Sequence, residues 1–224
     1  MKYSGIIFDF NGTLLLDTPM HELVWRDYSS LLRGYPLTEE EFLNMHGRPT
    51  RFFLEYLLGQ TLTNSEIEYH SEEKEKIYRT MCLDLGPDLQ LTAGAVDLLA
   101  FLKSHGIPRT IATASIKKNV DFYFETFLLG KWFDYDKVVY DDGSFPGKPD
   151  PQIYLRAAQK LGLPPKECIV AEDALSGIKS AHSAGIGCIM AIGPKEAHAV
   201  LKTYPGVKYT VTDFTEFDRN LFKL

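Results

Sequence analysis

Cysteine is scarce in this chain and nowhere closely spaced: Cys82, Cys168 and Cys188 are the only three in 224 residues. An odd, scattered set argues against a disulfide framework and offers no zinc-ligand spacing. Cys168 and Cys188 fall in apolar, strand-like runs and read as small buried hydrophobes. A basic excess is absent too. Lys and Arg number 24 against 30 Asp and Glu, a formal charge of −6, which gives no footprint for nucleic acid or an anionic membrane surface. No apolar run approaches the length of a membrane span, and the first residues lack the charged and apolar regions of a cleavable leader. Such a chain is expected in the cytoplasm, with no nucleic-acid, membrane or protein partner implied. Were its substrate a phosphate ester, positive charge would have to be concentrated locally, at a metal and a few Lys or Arg side chains.

What is present is ordinary globular material, 45% hydrophobic and 24% charged. The length suits a core plus a smaller inserted domain. Residues 3–10 form a short apolar, β-branched run that predicts a buried strand. The stretch from Leu14 to about Gln90 differs in character: helical patterns with start signals, Thr38-Glu39-Glu40-Glu41 and Thr63-Asn64-Ser65-Glu66, and no convincing strand. Four or so helices are predicted there, as a bundle-like insertion. From Thr92 the elements alternate: helix 95–104, strand 109–112, helix 117–128, strand 137–140, helix 152–161, strand 168–171, helix 174–184 and strand 187–192. That alternation predicts an α/β core with a mostly parallel sheet and right-handed crossovers. Ligands of such sheets bind outside the carboxyl ends of the strands.

Four short signals fall at or beyond those ends. Asp9, in Asp9-Phe10-Asn11-Gly12-Thr13, is a turn aspartate or a nucleophile; Gly12 lets the chain turn sharply and brings backbone N–H groups toward a phosphate. Thr113-Ala114-Ser115 offers hydroxyls that cap the next helix or donate to a phosphoryl oxygen. Lys117, Lys118 and Asn119 follow in the first helical turn, where cations are disfavoured unless an anion is near. Lys148, in Gly147-Lys148-Pro149-Asp150-Pro151, is either a surface lysine or a point charge held by a rigid turn. Glu172-Asp173 caps a helix, binds Mg²⁺ or does both, since adjacent carboxylates repel unless a cation joins them. Together they supply what phosphoryl transfer through an aspartyl-phosphate needs.

These residues resemble the four motifs of the haloacid dehalogenase superfamily. The whole chain is similar to that family's phosphatase and β-phosphoglucomutase-like branch, in which a helical cap follows the first motif. The resemblance implies a Rossmann-like parallel sheet core over 1–15 and 91–224 and an inserted helical cap of four-helix-bundle type over 16–90. It implies a Mg²⁺-dependent phosphatase of a small phosphorylated metabolite, with Asp9 as nucleophile and Thr113 and Lys148 on the phosphate, Ala114 and Lys117 completing the substrate site. Mg²⁺ would sit on Asp9, the Asn11 carbonyl and Asp173, with Glu172 as a ligand or outer partner. The cap residues His21, Trp25, Arg48, Thr50 and Arg51 would face the substrate. One residue departs from the pattern. Asn11 stands where the family carries the aspartate that protonates the leaving oxygen and activates water, and an amide carries no proton at neutral pH. Phosphonate-cleaving members and dehalogenases also lack that aspartate but fit less well. Residues 46–58 hold Arg48 and Arg51 and no lysine, and a metal-free dehalogenase leaves Glu172-Asp173 without a purpose. The alternatives are a phosphomutase, which needs the missing acid equally, and a slow or non-catalytic phospho-ligand sensor.

Overall fold

A computed structural model describes residues 2–45 and 50–223, with side chains outside 43–45. The chain divides into two compact units, Met1–Leu16 with Gln90–Leu224 and, inserted between them, Asp17–Leu89.

The first unit is built on a six-stranded parallel sheet. Strand β1 (Gly5–Phe8) is all apolar and buried along its length, and Ile6, Ile7 and Phe8 are fully shielded from water. Each such side chain contributes about 1.5–3 kcal/mol of apolar burial. After the insertion come α5 (Ala95–Ser104), β2 (Arg109–Ile116), α6 (Lys117–Thr126), β3 (Val139–Asp141), α7 (Gln152–Leu161), β4 (Cys168–Glu172), α8 (Leu175–Ser183), β5 (Cys188–Ile192), α9 (His198–Leu201) and β6 (Val207–Val211). The order across the sheet is β3-β2-β1-β4-β5-β6. Strands β1, β4 and β5 are buried throughout, which is why they read as unbroken apolar runs; a parallel sheet is covered on both faces. Tyr154 and Ala157 of α7, with Ile178 and Ala181 of α8, pack into the core with Ile7, Val170 and Ile189.

In the second unit the described residues form four helices, labelled by their place in the chain: α1 (Thr18–Arg33), α2 (Glu39–Met45), α3 (Thr50–Leu58) and α4 (Asn64–Asp84). Both predicted start signals act as capping boxes. Thr63 and Glu66 exchange side-chain and backbone hydrogen bonds, and Thr38 and Glu41 do the same at 2.8 and 3.2 Å. Trp25, Tyr28, Leu37, Phe53, Leu54, Leu57 and Leu62 make this unit's own core.

Three local expectations need correction. Strand β2 continues past Ala112 to Ile116, with its pairing to β3 shifting register between those residues, so Thr113 lies inside the irregular end of a strand. Strand β3 begins at Val139, because Tyr135–Lys137 turn as a 3₁₀ helix capped by Asp134. Edge strand β6 was not anticipated. Its middle residues are exposed, so the apolar run that marks the central strands is missing. Among the described residues no helix is long and apolar enough to cross a membrane.

Candidate active site

Asp9 follows the last residue of β1 and is anchored through its N–H to Ala171 O at 3.0 Å. Phe8 pairs with Ile111 of β2 and Ala171 of β4, so β1 delivers Asp9 beside the ends of both neighbours. Glu172 is the last residue of β4, and Lys148 lies on the loop after β3. Lys148 Nζ donates to Asp9 Oδ1 at 2.6 Å and to both oxygens of Glu172 at 3.3 Å. Asp9, Glu172 and Asp173 each offer an oxygen within 4.8 Å of the others. The structure thus brings together four residues from three separate stretches of the chain.

Two glycines make room for this cluster. Gly12 turns at φ +76°, and a Cβ there would lie 2.1 Å from Asp173 Oδ2. Gly177, on the first turn of α8, leaves the space filled by Glu172; its Cβ would stand 1.5 Å from Oε1. Thr13 Oγ1 donates to Asp173 Oδ1 at 3.1 Å. The side chain of Asp173 therefore does not cap α8, whose N-cap is Ala174.

The electrostatics are strained in one direction. Burial pushes the Glu172 carboxyl well above its ordinary value, with the charge of Asp9 adding to the effect. Burial and Asp9 likewise push Asp173 up to about 7. Burial opposes the charge on Lys148, but Asp9 and Glu172 outweigh it and hold the ammonium well above its usual range. If all three carboxylates ionise beside the one ammonium, two negative charges remain, which a divalent cation would balance. An all-oxygen set of carboxylates, cleared by Gly12 and crowded by like charge, fits a hard divalent ion.

The remaining expected site residues are distributed as follows. Thr113 is buried at the end of β2, its Oγ1 accepting from Ser115 N at 3.1 Å. Ala114 is exposed there. Ser115 does not cap α6, whose N-cap is Ile116; its Oγ donates instead to Asn11 Oδ1 at 2.7 Å. Lys117 is exposed and pairs with Asp121 at 2.8 Å. Asn119 is buried on α6. In the helical unit, His21 Nε2 lies 3.2 Å from Asp17 Oδ2, and its ring stacks on Tyr78 at 4.3 Å. Trp25 stacks on Phe53 at 4.4 Å. Arg51 donates to Glu55, Leu62 O and Asn64, at 3.1, 2.7 and 2.6 Å. Arg48 lies outside the described residues.

Sequence reasoning missed two tyrosines. Tyr154, fully buried, donates to Glu172 Oε2 at 3.2 Å, and Lys148 Nζ stands 5.2 Å from its ring centre. Tyr123, also buried, accepts from Asn11 Nδ2 at 2.9 Å. Their only signal was position on the inward face of an amphipathic helix, where a phenol needs a partner; which partner depends on strand order.

Against known proteins, the model of the haloacid dehalogenase-like hydrolases matches residues 3–185. The chain belongs to that family. The haloacid dehalogenase-like chain is 30% identical to a phosphorylated carbohydrates phosphatase of Thermotoga maritima, over 81% of this chain and 82% of that one. It is 31% identical to the fructose-1-phosphate phosphatase YqaB of Escherichia coli, over 84% and 96%. Its fold superimposes on a haloacid dehalogenase hydrolase, family IA, variant 3, of Entamoeba histolytica with TM-score 0.91, 38% identity and coverage of 99% and 97%. The chain is therefore a hydrolase of this family, and the two curated relatives just described are phosphatases.

Proposed function

We propose that this hydrolase is a Mg²⁺-dependent phosphatase of small phosphorylated sugars, working through an aspartyl-phosphate on Asp9. The observation that carries the reading is the cluster of Asp9, Glu172, Asp173 and Lys148 at the carboxyl ends of parallel strands. The substrate class follows the two named relatives, whose substrates are phosphorylated carbohydrates and fructose 1-phosphate.

Asp9, Asp173 and the Asn11 carbonyl would hold the metal, with Glu172 as a further ligand or outer partner. Bound there, Mg²⁺ supplies positive charge against the phosphoryl oxygens. Asp9 attacks phosphorus, the P–O ester bond breaks, and the alcohol oxygen leaves with the electron pair and takes up a proton. Water then attacks phosphorus and gives up a proton to solvent, the P–O bond to Asp9 breaks with its electron pair left on the carboxylate, and phosphate departs. Lys148 offsets the charge of Asp9 and of the transferring group throughout. The Thr113 hydroxyl and the Ala114 N–H donate to phosphoryl oxygens. Asn11 orients the water or leaving oxygen but moves no proton. A general acid–base is typically worth ~10²–10⁴ in rate, so the step that needs a base is slow.

A screen over sugar phosphates, nucleotides and p-nitrophenyl phosphate, with Mg²⁺ or EDTA, tests the reading. Phosphate release from sugar phosphates should require Mg²⁺ and vanish in Asp9→Ala. Release that survives EDTA would remove the metal requirement, and release that survives Asp9→Ala would remove the covalent mechanism. The neutral amide at position 11 favours one second reading, a phospho-ligand sensor. It wins if no ester turns over while Mg²⁺-dependent phosphate binding is tight.

A further inference from the structure

Asn11 leaves β1 between two hydroxyls from other elements. Its Nδ2 donates to Tyr123 OH of α6 at 2.9 Å, and its Oδ1 accepts from Ser115 Oγ at the end of β2 at 2.7 Å. Ser115 Oγ and Tyr123 OH stand 3.4 Å apart and close the triangle. Tyr123 is 1% exposed, and its ring lies flat on Phe10 at 4.0 Å and 16°. The backbone on the other side is pinned as well: Leu15 N–H reaches Phe10 O at 2.9 Å, and Gly12 N–H reaches Leu15 O at 2.7 Å. With the amide in place, the Tyr123 hydroxyl accepts and the Ser115 hydroxyl donates. An amide supplies both counterparts. A carboxylate would accept from both hydroxyls and leave Tyr123 no N–H to accept, and an alanine has neither group.

We propose that Ser115 and Tyr123 are positioning residues that hold the Asn11 amide in one orientation beside Asp9, so that the amide is a built part of this site. The proposal rests on the phosphatase reading for its consequence, the orientation of water or the leaving oxygen at Asp9. It does not rest on that reading for the contacts themselves. Hydroxyls from two elements, one of them a nearly inaccessible phenol clamped by an aromatic stack, leave the amide little rotational freedom. Placing it costs little at the moment of reaction for the same reason.

The test is a double-mutant cycle on p-nitrophenyl phosphate with Mg²⁺, comparing Tyr123→Phe and Asn11→Ala singly and together. Each single change should lower kcat about three- to tenfold, the rate equivalent of one neutral hydrogen bond. KM should stay within about twofold, because the interaction serves the reaction and not ground-state binding. In the Asn11→Ala background, Tyr123→Phe should add nothing. The same loss from Tyr123→Phe in both backgrounds would make Tyr123 a packing residue and overturn the proposal. A second arm needs no activity. The side-chain NH₂ pair of Asn11, identified by its loss in Asn11→Ala, should shift and exchange faster in both Tyr123→Phe and Ser115→Ala. A pair unmoved by both changes overturns the proposal even if the wild type hydrolyses nothing. Absence of turnover in every variant, with a responsive NH₂ pair, would refute the phosphatase reading and leave the positioning intact.

Discussion

At the scale of one residue, the proposed mechanism turns on Asn11. Formation of the aspartyl-phosphate needs an acid mainly when the leaving group is poor. An aryl oxygen leaves without much help and a sugar alkoxide does not. Hydrolysis of the aspartyl-phosphate needs a base in both cases. With Lys148 2.6 Å from Asp9 and an amide at position 11, the phospho-enzyme should accumulate. Stopped-flow measurement with an aryl phosphate should therefore show a burst followed by slow turnover. Asn11→Asp should erase the burst and raise steady-state turnover at least about tenfold, within the range of a general acid–base. A linear progress curve together with no gain from Asn11→Asp would show that another group moves the proton.

Single elements carry their own tests, one in each unit. Helix α8 can start beside Glu172 only because Gly177 has no side chain. Gly177→Ala would put a methyl 1.5 Å from Glu172 Oε1, and strand β4 holds that residue in an all-buried sheet. We expect a loss of about 1–3 kcal/mol in stability, as for other overpacked cores, with a larger fall in metal-dependent turnover. Melting curves and kinetics on one preparation separate the two. In the helical unit, Glu41 ties three helices. Arg33 of α1 grips it at 2.7 and 2.8 Å, Thr38 N–H caps it at the start of α2, and Tyr56 of α3 donates at 2.8 Å. Arg33 and then the Thr38 N–H hold its carboxyl well below the usual range. A lowered folded pKa stabilises above the unfolded value and is lost as pH falls toward the folded one. Glu41→Gln should thus lower the melting temperature at pH 7 by about 2–4 °C for about 1 kcal/mol. The difference should shrink once pH drops below about 4.3. A pH-independent difference would mean that shape, not charge, does the work.

For the whole molecule, the three cysteines report on packing. All are fully buried as free thiols, and burial pushes Cys82, Cys168 and Cys188 up to about 11, 12 and 11. At pH 8 the thiolate is then scarce as well as shielded, and thiolate is the reactive form. Titration with an aromatic disulfide reagent should find no fast thiol in the native protein and three in urea. A rapidly reacting thiol under native conditions would show that the unit containing it opens readily.

Much of the fold was legible in the sequence, as were the residues of the candidate site, and the reasons differ by feature. Helices α5 and α7 fall where periodicity placed them, at 95–104 and 152–161, because local spacing and end signals decide a helix. Strands β1, β4 and β5 were legible because burial on both faces leaves an unbroken apolar run, and β6 was not because its middle is exposed. Asp9, Lys148 and the Glu172-Asp173 pair were nameable from motif spacing and from the rule that ligands gather at strand ends. Chain order alone determined those points. The hydroxyls around Asn11, the phenol on Glu172 and the clearance at Gly177 were decided by tertiary structure. The first two are contacts between elements apart in the chain, residue 11 with 115 and 123 and residue 154 with 172; the third depends on how α8 turns back over the end of β4. Such contacts are set by strand order β3-β2-β1-β4 and by which face each helix buries. Ser115 shows the difference most plainly. As a hydroxyl before a helix it reads as a cap; in the folded chain β2 runs beside β1, and the same hydroxyl goes to Asn11.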